Sequence, residues 1–317
     1  MLLPDAFKEF LSHCRFEKNL SEKTIKAYRT DLEQLLTFMK SRSFDIAITA
    51  ISKTELKEYL ISIASLKPKS IKRKIATTKA LFNYLEFEDI LSVNPFRKMR
   101  INIKEPKRLP QVMDIREITR IFKTAYSYKK METTPETYSY FLALRNIVIL
   151  ELLFSTGARV SEIAGLTKNN INLDSGCITI RGKGDKERVI QICNRESIDL
   201  IKHYYKQYKQ LIEKAGNYFL INRLGNRLSD QSIRTIVKRL AGDAGITRHI
   251  TPHVFRHSFA TLLLEKDVDI KYIQSLLGHS SIMTTQIYTH VNRAKQKQIL
   301  KTKHPRRDFN MQLAVAE

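Results

Sequence analysis

The chain has 317 residues, 43% hydrophobic and 27% charged, enough apolar material for two packed domains and too much for a disordered chain. Its 55 Lys and Arg outweigh 32 Asp and Glu, and a net charge of +23 points to a polyanionic partner, nucleic acid ahead of an anionic membrane surface. The opening MLLPDAFKEF lacks the basic start and apolar run of an export signal. The most apolar stretch, NIVILELLF at 146–154, contains Glu151 and is short for a bilayer. Cys14, Cys177 and Cys193 show neither ligand nor disulfide spacing, so a cytoplasmic, nucleoid-associated protein with free thiols and no membrane partner is expected.

Residues 1–100 read as a helical bundle of four or five helices. Ser21 is a good N-cap for EKTIKAYRTDLEQLLTFM, in which Ile25, Tyr28, Leu32, Leu35, Leu36 and Met39 recur at helical spacing. A second helix is expected over Ser52–Ala64 and a third from Ser70 through IKRKIATTKALFNYLEF. Lys67, Lys69, Lys72, Arg73 and Lys74 form an acid-free cationic run that suits phosphate contact. The proline-bearing stretch Val93–Met113 has no apolar periodicity, and 101–112 reads as a linker between domains. Residues 1–112 carry an excess of 9 positive charges and 113–317 an excess of 14, so both halves suit one polyanion.

The second domain, 113–291, also reads as mostly helical, with one exception. CITIR (177–181) and ERVIQIC (187–193) are β-branched segments either side of GKGDK, a hairpin pattern. Four segments carry candidate chemistry. In LFSTGARVSEIAGL, Arg159 and Glu162 are three apart and can pair on one helical face. Lys183 sits between two glycines at the hairpin tip. In TPHVFRHSFATLLLE, Thr251 and Pro252 start a helix, and His253 and Arg256 share a side near its N-terminus, where an anion is favoured. In LLGHSSIMTTQIYTHV, Gly278 suits a helix C-terminus, His279 follows, and Tyr288 ends a polar run. No metal-ligand cluster is visible.

In this order, Arg159 in TGARVSE, Lys183 in GKGDKER, His253 and Arg256 in HVFRH, His279 in LLGHSS and Tyr288 in TTQIYTHV resemble the catalytic signature of the tyrosine recombinases, the integrases and Xer-type enzymes. The resemblance runs the length of the chain. It implies a mainly α fold: a helical, SAM-like core-binding domain, then a mostly α catalytic domain with a small antiparallel sheet, the two closing on duplex DNA. It also implies transesterification, in which Tyr288 attacks a phosphate, forms a 3′-phosphotyrosyl bond and frees a 5′-hydroxyl. A phenol of pKa about 10 is ionised in only about one molecule in a thousand at pH 7, so it needs a base and a cationic site. His253 is then the implied proton acceptor, His279 a phosphate donor, Lys183 the general acid, and Glu162 an orienting neighbour. Arg159 and Arg256 supply fixed forks for phosphate oxygens, so neither metal nor nucleotide cofactor is needed.

The resemblance further implies four protomers on two DNA sites, with a related recombinase or an accessory DNA-bending protein as further partners. The tail 292–317, with Ile299 and Leu300 in a short helix, is expected to contact a neighbouring protomer. The helical domain starts within the first residues, which favours a simple two-domain enzyme: an Xer-like resolvase, an invertase or a mobile-element integrase. A type IB topoisomerase relaxing DNA by similar chemistry is the alternative. Residues 127–140 are longer and more polar than a housekeeping Xer protein leads one to expect, and 308–317 carry no reading.

Overall fold

A computed structural model describes residues 1–104, 111–182, 186–278 and 293–309. The chain divides into two compact units, Met1–Arg108 and Leu109–Glu317. The fold is mainly helical with one small antiparallel sheet, as the sequence leads one to expect.

In the first unit α1 (Leu3–Phe16), α2 (Glu22–Ser41), α3 (Lys53–Ser62) and α4 (Pro68–Phe87) surround one apolar core. Ser21 caps α2, accepting from the Thr24 amide, and Ile25, Leu32, Leu35 and Met39 are buried on its inner face. Ser52 and Glu55 close a capping box on α3. Helix α4 starts two residues before the expected Ser70, because Pro68 occupies its first turn, where a missing N–H costs nothing. The stretch expected to link the units is held at both ends. Ile101 and Ile103 lie against the first core. At its far end the Val112 carbonyl accepts from Arg248 (2.8 Å), and the Met113 amide donates to Ser258 Oγ (2.7 Å).

The second unit is built on α6 (Tyr138–Thr156), with α5 (Ile115–Met131), α7 (Val160–Ala164), α8 (Arg195–Lys214), α9 (Asp230–Asp243) and α10 (Pro252–Leu264) packed on it. By length and composition α6 could cross a membrane, but it is buried in the protein from Ala143 through Thr156. It is the core helix of this unit. The polar SYKKM at 127–131 is the last turn of α5, which ends in Lys129 and Lys130, cations suited to a helix C-terminus. Strands β1 (Ile171–Asn172), β2 (Cys177–Arg181) and β3 (Glu187–Gln191) form a meander in which Thr179 faces Val189 and Arg181 faces Glu187. Ile178, Ile180 and Ile190 point to the core, the period-two pattern of a half-buried sheet. Helix α11 (Ile270–Leu277) follows α10 and ends at Gly278, whose φ of +63° is the left-handed cap that glycine adopts without strain.

In the C-terminal segment, Ile299 and Leu300 of α12 (Arg293–Lys303), together with Phe309, are buried in the core of the second unit. Arg306, fully buried, pairs with the fully buried Glu151 of α6 (3.1 Å). The same carboxylate accepts from Tyr126 (2.9 Å) and Ser197 (2.6 Å). A charge this deep persists because every Glu151 oxygen is hydrogen-bonded. Beside it the His304 ring lies against Phe154 and Phe259, and its Nδ1 accepts from the Arg306 amide (2.9 Å).

Two outcomes follow from this seam. Arg306→Met strands the Glu151 carboxylate in the core, and urea unfolding should show a loss of about 3–5 kcal/mol. Burial pulls the His304 pKa down to about 4, below the unfolded value of about 6.5. Its contribution is therefore fully present above pH ~6.5 and is lost as pH falls towards the folded value, by up to about 1.4 kcal/mol per pH unit. His304→Asn, which keeps an acceptor for the Arg306 amide, should flatten that dependence in unfolding curves taken across this window.

Candidate active site

The end of α11 organises the site. The last carbonyls of a helix have no intrahelical donor and lie at the negative end of its dipole. Here three successive carbonyls each accept from a different arginine. Leu276 O accepts from Arg188 Nε (2.9 Å), Leu277 O from Arg256 Nη2 (2.7 Å), and Gly278 O from Arg159 Nη2 (3.3 Å). The three side chains arrive from separate elements: Arg159 from the N-cap of α7, Arg188 from β3, and Arg256 from α10.

Glu162 is the counter-charge. Its carboxylate takes Arg159 Nη1 (2.9 Å) and the Arg159 backbone amide (2.8 Å), so the expected pair three residues apart is formed and also closes the first turn of α7. It takes Arg188 as well, through Nη2 (2.7 Å) and Nη1 (3.2 Å). Burial works to raise the Glu162 pKa, but the hydrogen bonds from Arg188 and Arg159 outweigh it and hold the carboxyl below its usual range. Three guanidiniums against one carboxylate leave this small volume with an excess of positive charge.

Arg256 is 3% exposed, and its second fork tip donates to Gly157 O (2.7 Å). Burial first, and then the neighbouring guanidinium of Arg159, pull its pKa down to about 10, so it stays charged at neutral pH. Gly157 ends α6 with φ +58°. A Cβ there would lie 2.5 Å from Phe259 Cδ1 and 2.9 Å from Leu277 Cδ2, so only glycine allows the close approach that brings its carbonyl to Arg256.

His253, in the first turn of α10, is exposed, and its Nε2 lies 3.1 Å from Nε2 of His257, one turn on. Burial, then Arg256, lowers the His257 pKa, which favours the neutral ring. Lys183, His279 and Tyr288 lie outside the described residues. The residues that precede Lys183 and His279 are described. The Gly182 amide donates to Lys186 O (2.8 Å) at the hairpin base, and a Cβ at Gly182 would be 3.6 Å from Glu162 Oε1. Gly278, which immediately precedes His279, is held by Arg159. Both flanks thus adjoin the arginine cluster. Among the described residues no three His, Cys, Asp or Glu side chains converge as metal ligands.

In the first unit the cationic run separates. Lys67, at the N-cap of α4, and Lys69 and Lys72 on the helix are exposed. Arg73 bonds the buried Asp31 (2.6 Å), and Lys74, only 5% exposed, bonds Asp31 (3.4 Å) and Gln34. Lys74 is therefore a core cation neutralising a core anion and is withdrawn from any phosphate. Its position was readable, since it falls in the buried stripe Ile71, Ile75 and Thr78 at helical spacing. Arg188 and His257 are residues the sequence reading missed. For Arg188 the signal was alternation: it lies on the same strand face as the buried Ile190.

Residues 112–295 match the phage integrase family, and residues 7–89 match the phage integrase N-terminal SAM-like domain. A tyrosine recombinase of Agathobacter rectalis is 45% identical over 305 residues, covering 95% of this chain and 96% of its own. The tyrosine recombinase XerD of Oceanobacillus iheyensis is 34% identical over 317 residues, covering 96% of this chain and the whole of its own. Among solved structures, the XerH site-specific recombinase bound to its difH substrate in a pre-cleavage complex superposes with a TM-score of 0.66 at 25% identity, covering 92% of this chain and 83% of that one.

Gly157→Ala should lower the stability of the second unit by roughly 1–3 kcal/mol through overpacking against Phe259, read from its urea midpoint.

Proposed function

We propose that this chain, which belongs to the tyrosine recombinase family, is a site-specific DNA recombinase that cuts and rejoins strands through Tyr288. The observation that carries this reading is the arginine cluster on the end of α11. It sits between the base of the hairpin that bears Lys183 and the start of the segment that bears His279 and Tyr288.

The chemistry follows from the charge. A phosphodiester gathers negative charge on its non-bridging oxygens during displacement, and fixed cations placed there lower the barrier. Arg159 and Arg256 are held in place by carbonyls and by Glu162, so little reorganisation is needed when the phosphate arrives. In the proposed step the Tyr288 oxygen attacks phosphorus as its proton passes to His253, and the bond from phosphorus to the 5′ oxygen breaks. Lys183 protonates the departing 5′ oxygen, and His279 donates to the phosphate. The product is a 3′-phosphotyrosyl ester and a free 5′-hydroxyl. A second strand's hydroxyl reverses the step, so the energy of the broken ester is retained and no nucleotide is consumed.

The net charge of +23 and the exposed Lys67, Lys69 and Lys72 support duplex DNA as the partner of both units. Within the family we favour an Xer-like role over mobile-element integration, on the relatives named XerD and XerC at 34% and 33% identity. Four protomers assembled on two sites, in the cytoplasm, complete the proposal.

The test is to stop growing cells with denaturant, recover DNA covalently bound to the chain, and sequence it. The recovered sequence, made as a duplex nicked beside the attacked phosphate, should trap a covalent adduct with the native chain and none with Tyr288→Phe. An adduct formed by the Phe variant would show that another residue is the nucleophile. Relaxation of supercoiled plasmid lacking that sequence would move the assignment to a topoisomerase.

A further inference from the structure

We infer that Arg188 is a positioning residue of the active site: it holds Glu162 between two guanidiniums and thereby keeps Arg159 available to the phosphate. The inference rests on the recombinase reading above and goes beyond the catalytic set.

Each of the three nitrogens of the Arg188 guanidinium already donates to the protein. Nε is on Leu276 O, and Nη1 and Nη2 are on the two Glu162 oxygens. Its side chain is 12% exposed and lies against Gly278, where an added Cβ would stand 3.0 Å from Nη1. A guanidinium so fully engaged and covered is built to hold neighbours. Arg159 is placed differently. Its side chain is 38% exposed, and its hold on the site is one fork tip on Glu162 and a longer bond to Gly278 O.

The two arginines share one carboxylate, and that sharing is the mechanism. The Glu162 side chain is 5% exposed, so its attraction for a nearby cation is little screened. With Arg188 present, both Glu162 oxygens are occupied by its fork, and the Arg159 guanidinium engages by Nη1 alone, beside the Arg159 backbone amide on Oε2. Without Arg188, a buried carboxylate faces Arg159 as its remaining guanidinium partner among the described bonds. The favoured geometry is then a two-pronged pair, which turns the Arg159 fork away from the open side. Leu276 O loses its donor in the same change, which frees the turn leading to Gly278.

The experiment uses the full chain and the nicked duplex whose sequence is recovered covalently from cells. Four proteins form a cycle: native, Arg188→Ala, Glu162→Gln, and both together. Arg188→Ala should bind the duplex like the native chain yet form adduct about 10–100-fold more slowly. In the Glu162→Gln background the same substitution should cost less than about threefold, because the carboxylate that captures Arg159 is gone. A second duplex carries a methylphosphonate at the attacked position, replacing one charged oxygen by methyl. It demands less of Arg159, so the Arg188→Ala defect should shrink on the same diastereomer that relieves Arg159→Ala. If Arg188→Ala does not fold, by its melting profile, Arg188→Gln carries the cycle. Equal slowing on both duplexes, or an undiminished effect in the Glu162→Gln background, means that Arg188 merely supports the fold and overturns the inference. A native chain that forms no adduct with any recovered duplex overturns the recombinase reading itself, an outcome distinct from any difference among variants.

Discussion

Three arginines gathered on the C-terminal end of one short helix are the constraint on which the site depends. Helix α11 has eight residues and ends in Gly278, so its last carbonyls must find donors from elsewhere. They find them on α7, β3 and α10, segments separated by up to about a hundred residues of chain. Like charges gathered in this way repel, and Glu162 together with the helix dipole offsets that repulsion. In the proposed reaction an incoming phosphate neutralises the remaining excess of positive charge. The same contacts that fix the end of α11 therefore gather the charge that the proposed phosphate site needs.

The rest of the second unit serves to hold those segments still. Helix α6 is buried through most of its length and ends at Gly157, whose carbonyl anchors Arg256. Its Glu151 binds Arg306, so the chain's final described turn is tied to the helix that carries that anchor. Strand β3 is fixed by its pairing with β2, which sets the height from which Arg188 reaches Glu162.

Much of this was legible in the residues. Helical spacing gave the inner face of α2, β-branched runs around GKGDK gave the hairpin, and a three-residue interval gave the Arg159–Glu162 pair. These features are local, and local periodicity encodes them. What stayed hidden depends on partners distant in the chain. The spacing of α4 places Lys74 in its buried stripe, but nothing near it announces the partner, Asp31, on another helix. Arg306 reads as one cation of a basic tail until Glu151 is found in the core, 155 residues away. Arg188 reads as one polar residue of a strand because nothing near it announces α11. In each case a charge is drawn inward by an opposite charge that the sequence places elsewhere.

The most direct measurement is a structure of the chain on its nicked duplex, with the nicked strand's phosphate in view. The account predicts one phosphate within hydrogen-bond distance of both Arg159 and Arg256, beside the end of α11, with Arg188 still on Glu162. A complex with that phosphate elsewhere, and both arginines still bound to Gly157, Leu277 and Gly278 alone, would contradict it.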